Sequence, residues 1–175
     1  YAEQFFHPDG SLMRGLAPLS EGHLLGTTSQ GHDVLSRLLY GARPTVIVGL
    51  GGGLLIVTIG TLVGVVAGYY GGTTESILMR TVDLWYVIPL IPFAIVLLVF
   101  LDITLWMTIL IIGVIQWRGA ARVLRSQVLQ IKERPFIEAA RATGASDARI
   151  ITRHILPNIM SMVVFYFAFG IGLSI

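Results

Sequence analysis

The sequence predicts an all-helical, polytopic membrane protein, and three observations carry that prediction. Hydrophobic residues make up 54% of the 175 and charged residues only 13%, where a soluble domain of this size carries about 25% charged. The apolar residues fall in long uncharged runs, and the mean hydropathy is +0.78. Finally, Arg118, Arg122, Arg125, Lys132, Arg134, Arg141, Arg149 and Arg153 place eight of the twelve basic residues in one stretch. Cysteine is absent, which excludes a disulfide framework, a thiolate metal cluster or a thiol nucleophile. The four histidines, His7, His23, His32 and His154, are scattered, and neither H-E-x-x-H nor G-x-S-x-G occurs. That pattern argues against an intramembrane hydrolase and predicts no metal site.

Residues 1–43 read as an extracytoplasmic arm. Within it, Gly31 to Tyr40 predicts a short helix: Val34, Leu35, Leu38 and Leu39 form an apolar stripe, and Asp33 and Arg37 an i,i+4 pair. Thr27 and Gln30 have capping-box spacing. Such a helix is expected to lie on the outer membrane surface.

Residues 44–175 read as the membrane domain. Pro44 to Thr74 contains no charged side chain and exceeds the roughly 20 residues needed to cross the hydrocarbon. Gly49, Gly53, Gly60, Gly64 and Gly68 repeat at spacings of four and seven. A small-residue stripe lets two helix backbones approach closely, either between subunits or within one chain. The second span is placed between Asp83 and Asp102, each aspartate at an end because a mid-membrane aspartate costs about 2.5–3.5 kcal/mol. Asp83 is then either an ion site or an interfacial charge beside Arg80. Pro89 and Pro92 lie inside this span, and Pro89 is a candidate hinge. The third run, Ile103 to Trp117, continues through Gly119, Ala120 and Ala121, with Arg118 and Arg122 snorkelling to the interface. A fourth begins near Asn158 and reaches Ile175.

Orientation follows from the basic residues, since cytoplasmic loops carry the excess of Lys and Arg. The stretch from Arg118 to Arg153 holds only three acids, Glu133, Glu138 and Asp147, and is expected inside the cell. Counting backward puts Asp102 outside, the turn from Tyr69 to Arg80 inside and residues 1–43 outside, which implies an earlier crossing before Tyr1.

Residues 118–157 form the loop with the most to say. Ala121, Leu124, Val128 and Ile131 line one helical face, and Arg118, Arg122, Arg125 and Lys132 line another. That predicts a helix leaving the membrane, apolar toward its bundle and basic toward water or headgroups. Pro135 suits the first position of the next helix and Gly144 the position just past its end. Ser146 is placed to cap a second helix, with Asp147 in its first turn and Arg149, Arg153 and His154 further on; Pro157 is expected to break it. Two helices this short need outside support to persist. Ala139 and Ala140 offer a flat surface for another protein, with Glu138 and Arg141 fixing its register; alternatively the hairpin packs on its own bundle.

Glu138-Ala139-Ala140, Gly144 and Leu156-Pro157 resemble the EAA loop of ABC importer permeases. A wider set resembles the C-type permease of the dipeptide, oligopeptide and nickel branch: Gly26-Thr27, Gly31, Asp33 to Leu38, Tyr40 to Arg43, Ala67-Gly68-Tyr69, Met79-Arg80, Asp83, Pro89, Trp117, Ala121-Arg122, Lys132 to Arg134 and Glu138 to Asn158. Thr28 and His32 depart from the aspartate and arginine usual in the branch's outer arm. The resemblance implies a type I importer permease bundle, this chain holding about four of six transmembrane helices, in a bacterial or archaeal cell membrane. It implies coupling through Glu138, Ala139, Ala140, Arg141, Gly144, Leu156 and Pro157, with Gly60, Gly64, Gly68 and Pro89 serving packing or hinge motion. The implied partners are two ATP-binding subunits that hold ATP and Mg, a second permease subunit, an extracytoplasmic solute-binding protein and lipid, but no nucleic acid. Peptides are the implied cargo, with nickel or oligosaccharides as alternatives. The chain has no G-x-x-x-x-G-K-[ST] pattern, Lys132 being its sole lysine, so no cofactor and no enzymatic activity are expected of it. An ion-coupled secondary transporter is the rival; it calls for partnered ionisable groups within the spans.

Overall fold

The computed structural model describes residues 23–100 and 104–175, together with Phe6, Gly10 and Ser11. Asp102, expected at the outer end of the second span, lies outside the described residues, as does most of 1–22. The helices are α1 (Val34–Tyr70), α2 (Gly72–Val87), α3 (Leu90–Phe100), α4 (Leu105–Lys132), α5 (Pro135–Ala142), α6 (Asp147–Ile150) and α7 (Leu156–Ser174), with a π turn at Ile151–Ile155 joining the last two. The chain forms two compact units, Tyr1–Ile47 and Val48–Ile175.

In the first unit, residues 23–33 form a tight loop. The Thr28 N–H donates to the His32 carbonyl, and the Gly31 N–H to the Thr28 carbonyl, both at 2.9 Å. Thr28 Oγ1 accepts from the N–H groups of Gln30 and His32. The two departures in the arm thus build a single turn. The cap of α1 is Asp33, not the Thr27–Gln30 pair: its Oδ2 accepts from the Ser36 N–H at 2.7 Å. Asp33 Oδ1 meets His23 Nδ1 at 2.9 Å, so its carboxylate is turned to the cap and to His23 rather than to the expected Arg37 pairing. The Ser36 amide holds the Asp33 carboxyl below its ordinary range, aided by the Ser36 hydroxyl and His23 and opposed by burial. A group depressed on folding lends stability above its unfolded pKa and loses it as pH falls through the lower folded value. A pH titration of the Ser36 amide shift is therefore expected to show a midpoint below the ordinary aspartate range, and Asp33→Asn to abolish it. A midpoint at or above that range would contradict the cap.

The predicted surface helix and first span are one helix. α1 runs 37 residues with Pro44 inside it, about 55 Å at 1.5 Å per residue. Proline orphans the carbonyl four residues back, here that of Tyr40, which is exposed and so does not bury the loss. The second span is not one helix. It is interrupted at Ile88, which is extended (φ −74°, ψ 113°), as the residue before a proline prefers. Pro89 is thus a break between α2 and α3, and Asp83 lies within α2, not at a span's end. Nor does Pro157 end the helix before the last span. The π turn shifts the hydrogen-bond register, with the Leu156 N–H reaching the Ile151 carbonyl, and Asp147–Ser174 continues as one 28-residue helix. A wider turn makes room for the proline ring that an α-turn would crowd. Among the described residues three helices are long and apolar enough to cross a membrane, Val34–Tyr70, Leu105–Lys132 and Asp147–Ser174, where four spans were expected.

The second unit is organised by the glycine stripe. A Cβ on Gly60 would sit 2.5 Å from Ala120 Cβ, one on Gly64 2.7 Å from the Ala121 carbonyl oxygen, and one on Gly68 2.8 Å from Val128 Cβ. The upper part of α1 meets α7 instead: Gly53 faces the Ile171 amide and the Phe167 carbonyl, both at 3.0 Å. Within this chain the stripe is an intramolecular contact that seats α1 on α4 and α7.

Candidate functional site

The basic face of α4 is occupied by α2, not by water or headgroups alone. Arg125 pairs with Glu75 and Arg122 with Asp83 at 2.6 Å. Arg118 donates through Nη1 to the Trp85 carbonyl at 2.5 Å. Arg118 and Arg122 each lie 4.6 Å from the centre of the Tyr86 ring, a cation–π arrangement. Val82, Trp117 and Ala121 form the apolar seam beneath these contacts. α2 therefore contacts both arginines that were expected to snorkel, and the Arg122–Asp83 pair stays exposed.

After α4 the chain turns through Arg134, the cap position of α5, with Pro135 in the first turn. α5 ends in a Schellman arrangement. The Gly144 N–H donates to the Arg141 carbonyl at 2.9 Å and the Ala145 N–H to the Ala140 carbonyl at 3.0 Å. Gly144 adopts φ +80°, a left-handed conformation that glycine takes without a Cβ penalty. Ser146 occupies the next cap position without a side-chain capping bond.

Short helices need tertiary support, and a shared core supplies it. Ile137, Ile150 and Ile155 are fully buried with Leu124 and Val128 of α4. The burial of each aliphatic side chain contributes about 1.5–3 kcal/mol. At the edge of this core the Tyr69 hydroxyl donates to Asp147 Oδ1 at 2.6 Å, joining the end of α1 to the start of α6. Sequence reasoning missed this bond; the two residues are 78 apart and no spacing rule connects them. Arg141 lies over the Tyr69 ring at 5.7 Å, facing its own bundle.

The motif residues therefore divide. Glu138, Ala139, Gly144 and Pro157 are exposed, whereas Ala140 and Leu156 are partly buried against the core. Ala140 belongs to the support of the hairpin, so the flat surface read from Ala139 and Ala140 reduces to Ala139. The hairpin packs on its own bundle and leaves Glu138 and Ala139 exposed.

Apolar spans, a glycine-mediated helix interface and a capped hairpin at one end define a polytopic helical component of a membrane. The residues match known proteins accordingly. The family described as binding-protein-dependent transport system inner membrane component matches residues 60–175, and the chain belongs to that family. Its relatives include the oligopeptide transport system permease protein OppC of Haemophilus influenzae, 37% identical over 155 residues, and the dipeptide transport system permease protein DppC of Bacillus subtilis, 39% identical over 154. Each alignment covers 88% of this chain, but 50% and 48% of the respective relative. The glutathione transport system permease protein GsiD of Pectobacterium atrosepticum is 36% identical over 156 residues, 89% of this chain and 52% of its own. The chain thus spans about half the length of the curated relatives it matches. It is a multi-pass protein of the cell membrane.

Proposed function

We propose that this chain forms the translocation pathway of an ATP-driven peptide importer and takes its drive from separate ATPase subunits through the α5–α6 hairpin. Peptides are favoured as cargo because the relatives' names specify oligopeptide, dipeptide and glutathione transport. The observation that carries the reading is the division within the loop. Ile137 and Ile150 lock the hairpin to the core while Glu138 and Ala139 stay exposed. A handle needs both: a firm root and a free surface. The loop from Arg118 to Pro157 faces the cytoplasm in this reading, where two nucleotide-binding subunits hold ATP and Mg. A second permease subunit completes the pathway, and an extracytoplasmic binding protein delivers the peptide. Closure of the ATPase pair moves the hairpin, and the tie from Tyr69 to Asp147 carries that movement to α1.

Ala139→Cys introduces a thiol where these 175 residues have none. Short bifunctional crosslinkers are expected to join it to an ATP-binding subunit in membranes, with a yield that changes when nucleotide is trapped. Labelling of the introduced thiol from the exterior only, or no crosslink under any nucleotide condition, would reject the proposal.

A further inference from the structure

The three arginines on the α2-facing side of α4 are not equivalent. Arg125 and Arg122 are matched by carboxylates, Glu75 and Asp83. Among the described residues Arg118 has no carboxylate within ion-pair distance; its contacts are the Trp85 carbonyl and the Tyr86 ring. It is also the nearest of the three to the start of α4. Leu105 to Trp117 carries no charge, so Arg118 is the first charged residue of α4, about 20 Å from its start at 1.5 Å per residue. A permanent cation at the end of an uncharged run in a spanning helix faces the bundle interior or a polar cavity, or pairs with another charge or a backbone carbonyl.

Arg118 does line a cavity of about 150 Å³, with Ile56, Tyr86, Gln116, Tyr166 and Phe169 among its walls. The walls are mostly apolar, with one cation and three neutral polar side chains. Tyr86 Oη is held near Gly119, 3.8 Å from where a Cβ on that glycine would sit, so a hydroxyl borders the cavity beside the guanidinium. A guanidinium has five N–H donors, and the Trp85 carbonyl engages Nη1 only.

We propose that Arg118, supported by Gln116 and the two tyrosines, is a subsite for the carboxylate of the transported solute, which for a peptide is its free C-terminus. A planar fork in a low-dielectric wall binds carboxylate with both charge and geometry. The alkyl and aromatic remainder of the cavity suits the adjoining side chain. This inference rests on the import reading above, and it commits to the cargo rather than to a lipid phosphate or a neighbouring chain's acid as the anion.

The test uses the complete importer reconstituted with its binding protein. Uptake of an alanine tripeptide with a free C-terminus and of its C-terminal amide is measured with the binding protein saturated by each. Wild-type vesicles are expected to favour the acid, and Arg118→Gln to lower the ratio of acid to amide uptake by about tenfold or more, as loss of a charge-assisted hydrogen bond implies. Equal loss for both peptides would assign Arg118 to lipid or to a neighbouring chain and overturn the subsite, as would two unchanged rates or no wild-type preference. Vesicles that import neither peptide in the wild type would instead refute the import reading. If Arg118→Gln fails to assemble, Arg118→Lys carries the test. It keeps the charge but loses the fork, and a severalfold drop in preference is expected; no change would overturn the proposal.

Discussion

Gly64→Leu is expected to prevent recovery of a folded chain, whereas Gly172→Ala is expected to leave folding intact or improve it. The first added carbon at Gly64 would meet the Ala121 carbonyl oxygen at 2.7 Å, the Arg125 amide at 3.0 Å and Leu124 Cβ at 3.0 Å. Two of those atoms are backbone of α4 and cannot turn aside as a side-chain tip would. Relief requires α1 and α4 to separate, but Gly60 and Gly68 hold the same two helices at equally short range. Separation would strip contacts from Ala121, Leu124 and Val128, all fully buried. Overpacking typically costs about 1–3 kcal/mol and more when nothing can yield, and in lipid close packing is itself the main force between helices. Gly172 is the matched control, a helical glycine of α7 with nothing within 4 Å of the added carbon. Alanine there gains helix propensity of up to about 1 kcal/mol. Yield of folded chain in detergent, with thermal melting of whatever is recovered, decides the point: equal yields and equal midpoints would mean that the glycine contact does not hold the bundle.

The stripe also shows what kind of information the sequence carries. Spacings of four and seven put Gly60, Gly64 and Gly68 on one helical face whatever surrounds them, so the existence of a close contact was readable. Its occupant was not, because periodicity describes a face and not a partner. Pro135 and Gly144 were likewise readable, since a fixed φ at a helix start and a positive φ after its end are local requirements. The failures come from prolines whose cost is met at a distance. Pro44 reads as the start of a span separate from the helix before it, and Pro157 as a break. One is tolerated where the orphaned carbonyl belongs to the exposed Tyr40, the other where a π turn rearranges the register. Pro89 does break its helix, and nothing local to the three prolines predicts the difference. The charges of α2 failed for a related reason. Read alone, Glu75 and Asp83 mark the ends of apolar runs; paired with Arg125 and Arg122 of α4, they become tolerable within a helix lying against a span.

Gly144→Val is expected to separate ATP hydrolysis from peptide uptake under the coupling role proposed above. A Cβ at residue 144 would touch nothing within 4 Å, so no clash contributes and the whole effect comes from the backbone at φ +80°. A left-handed conformation costs an L-residue about 1–2 kcal/mol, with β-branched residues the worst case. At about 1.4 kcal/mol per tenfold, the native turn loses roughly 5- to 30-fold in population relative to alternatives that release the bonds from Gly144 to Arg141 and from Ala145 to Ala140. α6 runs on through the π turn into α7 without interruption, so the released element is α5 and with it Glu138 and Ala139. The ATPase partner would then move a helix no longer fixed to the bundle. Uptake should fall about tenfold or more, while hydrolysis stimulated by the binding protein stays near the wild-type rate. Gly144→Asn, which tolerates the left-handed region far better, should retain most of the uptake. Both rates are measured on the same vesicles, so a change in reconstituted amount cancels in their ratio. A valine variant with an unaltered ratio would show that the turn does not transmit the stroke, even if the hairpin does contact the motor.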